Sequence, residues 1–102
     1  LKLKFIKGEY NELYKDEQNK LQGEYKYFYD IAHKKLWEHT FYKDDKVHGK
    51  YMLYDENGNL SSLTYYKNGT WIPEQEYNEW QLKEKIEKVL VTGKNNESIS
   101  NW

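Results

Sequence analysis

The chain has 102 residues, with 16 Lys plus Arg against 17 Asp plus Glu and a formal net charge of −1. That length suits one domain, the balanced charge argues against the basic footprint of a nucleic-acid binder, and the absence of cysteine excludes disulfide and thiol chemistry. Hydrophobic residues make up only 37% of the chain while aromatics reach 18%, with 11 Tyr, 4 Trp and 3 Phe, a profile that fits a thin, half-buried sheet better than a helical bundle.

Taken in chain order, the pattern implies strands over 1–7, 9–14, 21–29, 35–42, 47–54, 60–66 and 70–72. The first carries Lys2, Lys4 and Lys7 around Phe5, and lysines on a strand read as protection of a sheet edge. Residues 16–20 and 30–34 read as longer turns. Residues 43–46 read as a tight turn with Asp45 where glycine is expected, and Asp tolerates the left-handed region better than most residues. Asn57-Gly58 and Asn68-Gly69 suit the positive φ values of tight hairpins. The strands are self-similar. Residues 36–43 (LWEHTFYK) align with 60–67 (LSSLTYYK) at an offset of 24, and Gly23-Glu24-Tyr25 returns as Gly49-Lys50-Tyr51 at an offset of 26. Short strands at regular spacing with turns between them indicate a sequential antiparallel meander.

From Pro73 onward the pattern changes to a helix over 74–91, with Pro73 at the first helical position. Glu74 and Glu76 sit in its first turn, Glu79–Lys83 and Glu84–Lys88 are i,i+4 pairs, and Gly93 falls where a left-handed cap belongs. The expected organisation is therefore mainly β, in the α+β sense. A single domain spans 1–93, with β-hairpin repeats over 1–72, a packed C-terminal helix over 73–92 and a flexible tail over 94–102.

The run Tyr42-Lys43-Asp44-Asp45-Lys46-Val47-His48-Gly49-Lys50-Tyr51-Met52-Leu53-Tyr54-Asp55-Glu56-Asn57-Gly58-Asn59-Leu60, followed by Tyr65-Tyr66-Lys67-Asn68-Gly69, resembles bacterial MORN-variant repeats, which also occur in YwqK-like antitoxin components. The match is good over about 35–70, a degenerate copy covers about 8–34, and the helix lies outside it. Asp45 departs from the family glycine, and the first copy has lost its Asn-Gly turns. The resemblance implies an antiparallel repeat sheet with an interaction role, and it brings no catalytic residues to transfer.

Alternation along the strands places Trp37, His39 and Phe41 with Leu63 and Tyr65 on one face, and Leu36, Thr40 and Tyr42 with Leu60, Thr64 and Tyr66 on the other. In the helix, Leu82, Ile86, Val89 and Leu90 form one apolar stripe from which Tyr77 and Trp80 project away. One arrangement packs Tyr77 and Trp80 on the sheet edge while the stripe covers a face. The other leaves one of these sets for a partner. Tyr42, Tyr54 and Tyr66, on the face away from the helix, with Tyr77 and Trp80, are the expected partner-binding residues.

Catalytic and metal chemistry find little footing. His33, His39 and His48 are six and nine residues apart and match no compact ligand motif. Residues 55–59 lack the sixth-position glycine and distal Glu of a calcium loop. No serine sits in a glycine-flanked elbow. No catalytic residue, metal or cofactor is expected. The expected function is a non-enzymatic protein–protein interaction module that binds and neutralises a partner in an antitoxin-like way. One alternative is a small phage or mobile-element inhibitor of a host defence enzyme such as a CRISPR effector, and another is a carbohydrate-binding or hydrolytic module. The expected partner is another protein, with a homodimer compatible and no nucleic acid. No apolar run is long enough to span a bilayer, no signal peptide pattern is visible, and the expected location is the cytoplasm.

Overall fold

The computed structural model of the chain describes residues 2–92. Its strands are β1 (Lys4–Lys7), β2 (Asn11–Lys15), β3 (Gly23–Phe28), β4 (Leu36–Lys43), β5 (Lys46–Tyr54), β6 (Leu60–Lys67) and β7 (Thr70–Ile72), followed by the helix α1 (Glu74–Thr92). They form one seven-stranded sheet in sequence order, with every neighbouring pair antiparallel. The expected meander with a C-terminal helix is the observed fold. Differences fall at the ends of elements: the first strand starts at Lys4 and the second at Asn11, and the third contracts to Gly23–Phe28. Pro73 stands just outside α1, where its carbonyl accepts the Tyr77 N–H at 3.1 Å, so it caps the helix instead of opening it. Leu1, the Gly93 cap and the tail over 94–102 lie outside the described residues.

The turns explain why the strands follow one another so regularly. Asp44 and Asp45 have φ of 50° and 68°, and Asn68 and Gly69 have 50° and 84°, the paired positive values that a two-residue hairpin requires. Asp45 therefore fills the glycine position without a change of turn. It also gains a bond that glycine lacks, since its carboxylate accepts the Leu21 N–H at 2.7 Å. Residues 16–20 make the same turn as residues 55–59. Asp16 Oδ1 accepts the Gln18 and Lys20 N–H groups at 2.8 and 3.0 Å, as Asp55 Oδ1 accepts those of Asn57 and Asn59 at 2.9 Å each. Asn19, at φ 66°, takes the place of Gly58, at φ 85°.

Adjacent repeats are also tied to each other. The Asp44 N–H donates to Gln22 Oε1 at 3.1 Å, and the Asn68 N–H donates to His48 Nδ1 at 3.0 Å. The Asp45 N–H reaches the Leu21 carbonyl at 3.1 Å, and the Gly69 N–H reaches that of Val47 at 2.8 Å. The residue before each repeat glycine thus holds the next turn, which is the internal repeat expressed in hydrogen bonds.

Among the described residues no second layer covers the sheet. α1 lies against β6, and among the described apolar side chains only Phe28 and Ile72 are buried. The fully buried side chain is that of Thr40, in the middle strand, with its hydroxyl donating to the Lys50 carbonyl at 3.1 Å. In such a sheet, cross-strand side-chain pairs carry the stabilisation that a two-layer core would supply elsewhere.

Candidate protein-interaction face

The strand register defines two unlike faces. On the face away from α1, Gly23 lies opposite Tyr42, and Gly49 opposite Tyr66, which is followed across the sheet by Trp71. In the next row Tyr25, Thr40, Tyr51 and Thr64 are neighbours, and in the third Tyr27, Glu38, Leu53 and Ser62. The rings pack along these rows: Tyr25 meets Tyr42 edge-on with centroids 5.6 Å apart, and Tyr51 meets Tyr66 at 5.9 Å. Each repeat therefore builds the same unit, a glycine paired across the ladder with a tyrosine of the next strand, whose ring packs on the tyrosine two residues after that glycine. Glycine suits these positions because of the backbone: Gly23 and Gly49 have φ of 81° and 124°, a region that side-chain-bearing residues rarely adopt.

Three register shifts interrupt the ladder; the one between Thr40 and Tyr42 keeps the strands' parity, and the other two change it. The register steps between Tyr27 and Phe28 and between Leu53 and Tyr54, which leaves Trp37 and Ser61 as extra residues, one repeat apart. The bulge turns Trp37 to the tyrosine face, where it packs on Tyr27 at 5.5 Å and Tyr29 at 5.3 Å. Leu36 and Leu60, opposite Phe28 and Tyr54, turn to the helix face. These three residues sit on the faces opposite to those expected from unbroken alternation.

Of the expected partner-binding residues, Tyr42 and Tyr66 share the tyrosine face, both half-buried. Tyr54 does not. It follows the β5 parity of Met52, whose sulfur accepts its hydroxyl at 3.6 Å, and so belongs to the helix face. Tyr77 and Trp80 are the contacts that seat the helix. Tyr77 packs on Tyr65 at 4.4 Å, Trp80 packs on His48 at 4.6 Å, and Lys67 lies 5.4 Å above the Trp80 ring. Burial, with the charge on Tyr65 a lesser cause, pushes the Tyr77 hydroxyl above its ordinary pKa. Tyr77, Trp80 and His48, with Phe41, Gln81 and Glu84, line an open cleft of about 420 Å³ between α1 and the sheet. Of the stripe expected to cover a face, Leu82, Ile86 and Leu90 point the other way, 60%, 52% and 69% exposed, while Val89 is half-buried.

Charge separates the faces. Among the strand residues, the tyrosine face carries Glu38 in the middle strand and Lys4 and Lys15 at the β1–β2 edge. The remaining charged strand residues, Glu24, Lys26, Lys50 and Lys67 among them, share the helix face. Burial, then hydrogen bonding to Glu38 and its charge, push the Tyr51 hydroxyl up to about 12. Burial, then the charge of Glu38, raise Tyr42 as well.

Each histidine serves a local contact. His33 Nδ1 lies 2.7 Å from Glu12 Oε2 and its Nε2 lies 3.0 Å from the Glu9 carbonyl, with the ring stacked on Phe28 at 4.6 Å. His39 Nε2 is 2.8 Å from Glu24 Oε2. His48 accepts the Asn68 N–H, which requires a neutral ring nitrogen there, and burial followed by the Lys43 charge lowers its pKa accordingly. Among the described residues no three His, Asp or Glu side chains converge in a metal-ligand arrangement, and no helix is long and apolar enough to cross a membrane.

Sequence reading missed Tyr25, Tyr27, Trp37, Glu38 and Tyr51 as members of the face. The Gly-x-Tyr spacing held the signal for two of them, since a residue two after a strand glycine shares its face. The Trp37 placement depends on a bulge that no residue type announces.

The fold defines a hairpin-repeat scaffold with one aromatic-rich sheet face. Comparison with known proteins adds no relative: no family model, no curated protein and no solved structure matches the chain.

Proposed function

We propose that the chain is a non-catalytic binding protein that docks another protein on its tyrosine face. The observation that carries this reading is the composition of an uncovered face: Tyr25, Tyr27, Tyr42, Tyr51 and Tyr66 with Trp37 and Trp71, and a single charged side chain near the centre. Interface centres are enriched in Tyr and Trp and depleted of charge, and tyrosine presents a large contact area at low entropic cost. The resemblance to MORN-variant repeats supports the same role. Neutralising a toxin in cis and inhibiting a host enzyme are two uses of such a surface, and the neighbouring genes separate them.

The test uses tagged chain in its native host. Ser62→Lys places a charge on the tyrosine face without removing a ring, Leu63→Lys does the same on the helix face, and a third variant combines Tyr42→Ala with Tyr66→Ala. A stoichiometric partner protein should copurify with the unsubstituted chain and with Leu63→Lys, and be lost from the other two while their circular dichroism persists. Retention by Ser62→Lys would remove the tyrosine face as the interface.

A further inference from the structure

Glu38 is the feature of the tyrosine face that ring packing alone does not explain. It sits in the middle strand with Tyr27 and Leu53 directly beside it, with Tyr51 diagonal to it in β5 on the same face and with Trp37 turned in beside Tyr27 by the bulge. The ion pairs among the described residues go to Glu24 and Glu12 on the opposite face, so none of the described cations pairs with Glu38. A protein docking here desolvates that carboxylate, and a buried charge left without a counter-ion is strongly unfavourable. Resting on the interface reading above, we propose that the partner is a different protein that inserts an arginine side chain at the centre of the tyrosine face, its guanidinium paired with Glu38 and stacked against Tyr27, Trp37 and Tyr51.

The chemistry of the surround favours this occupant. Aromatic faces attract cations, more so when water is excluded, and a planar guanidinium both stacks on rings and pairs with a carboxylate in two-pronged fashion. A second copy fits less well. β4 is the middle of seven strands, so an aligned face-to-face pairing sets two Glu38 carboxylates against each other in an apolar interface, where like charges oppose ionisation.

The test titrates the full chain with the acetylated, amidated peptide Gly-Arg-Gly and, separately, with its citrulline counterpart, which keeps the shape and loses the charge. Aromatic carbon–proton NMR spectra report the site. The expected result is saturable movement of the Tyr27, Trp37 and Tyr51 signals with the arginine peptide, and affinity about tenfold lower for citrulline. Glu38→Gln, with an unchanged fold by circular dichroism, should abolish that preference. Equal affinity for the two peptides, no saturable binding of the arginine peptide, or a preference that survives Glu38→Gln overturns the inference. Copurification with Glu38→Gln distinguishes the two readings. A partner retained by Glu38→Gln but lost from Ser62→Lys sinks the arginine proposal and leaves the interface standing, whereas one retained by both sinks the interface too. A concentration-dependent dimer by sedimentation that Ser62→Lys abolishes would make a second copy the occupant and would also overturn the proposal.

Discussion

At the scale of single residues, His33 and Gln22 show how polar side chains hold a sheet that has little apolar core. Both ring nitrogens of His33 face acceptors, the Glu12 carboxylate and the Glu9 carbonyl, and a neutral imidazole can donate to only one of them. The side chain is only 4% exposed. Hydrogen bonding to Glu12 raises its pKa against the opposing effect of burial, with the Glu9 carbonyl and the Glu12 charge also raising it and Lys7 lowering it; Asp30 also feels its charge. A raised folded-state pKa stabilises the fold fully below the unfolded value of 6.5 and is lost as pH climbs through the folded value. The melting temperature gap between the chain and His33→Gln should therefore be wide at about pH 6 and shrink toward about pH 9. A gap that grows with pH would contradict the doubly bonded imidazolium. The turn carboxylates behave oppositely: the Lys20 N–H chiefly lowers Asp16 and the Lys35 N–H chiefly lowers Asp30 from 3.8. Their contribution is present above that value and disappears as pH falls through the folded ones. Gln22 is buried, its amide nitrogen donating to Asp16 Oδ2 at 2.9 Å and to Asp44 Oδ1 at 2.7 Å. Gln22→Ala should cost about 2–3 kcal/mol in urea unfolding, since it strands hydrogen-bonding groups of two turns at once; a loss below about 0.5 kcal/mol would mean that water replaces the amide.

At the scale of elements, the helix separates amphipathicity from packing. At about 100° per residue Ile86 lies opposite Tyr77, so seating Tyr77 and Trp80 on Tyr65 and His48 turns the stripe of Leu82, Ile86 and Leu90 to solvent. The stripe was legible in the sequence. Its orientation was not, because two aromatic contacts, one to β6 and one to β5, decide it and no periodicity within the helix records them. Replacing Leu82, Ile86 and Leu90 together by Gln should change the unfolding free energy by less than about 0.5 kcal/mol per site, whereas Trp80→Ala should cost about 2–3 kcal/mol; thermal melts of both variants distinguish this from a stripe that packs. Strands and turns were more legible than faces for a related reason. Asn-Gly, the Asp-rich turns and the repeat offsets are local chemistry, and they fixed strand order directly. Face assignment needs an unbroken parity, so a single extra residue at Trp37 or Ser61 transfers Leu36 and Leu60 to the other side without altering any propensity. Tyr54 is expected beside Tyr42 and Tyr66, but register ties it to Met52 and the helix face.

At the scale of the whole molecule, each strand pairs only with its neighbours in sequence, and among the described residues the two faces lack a common core that would couple distant strands. Stability in such an array is close to a sum of unit and nearest-neighbour terms, so it should grade across the sheet. β4 and β5 have long partners on both sides and carry the buried Thr40 contact. β1, with four residues, and β7, with three, are the edges. Native-state hydrogen exchange should show the slowest amides in β4 and β5, with protection falling stepwise toward β1 and toward β7. A uniform rate across all strands would mean that the sheet opens only as one cooperative unit. The gradient also bears on recognition. The tyrosines and Glu38 that form the proposed interface lie on β3 to β6, so the best-protected strands present the surface to a partner. Docking on strands that are already ordered loses little further conformational entropy, and this is how a one-layer sheet can serve as a rigid platform while its edges fray.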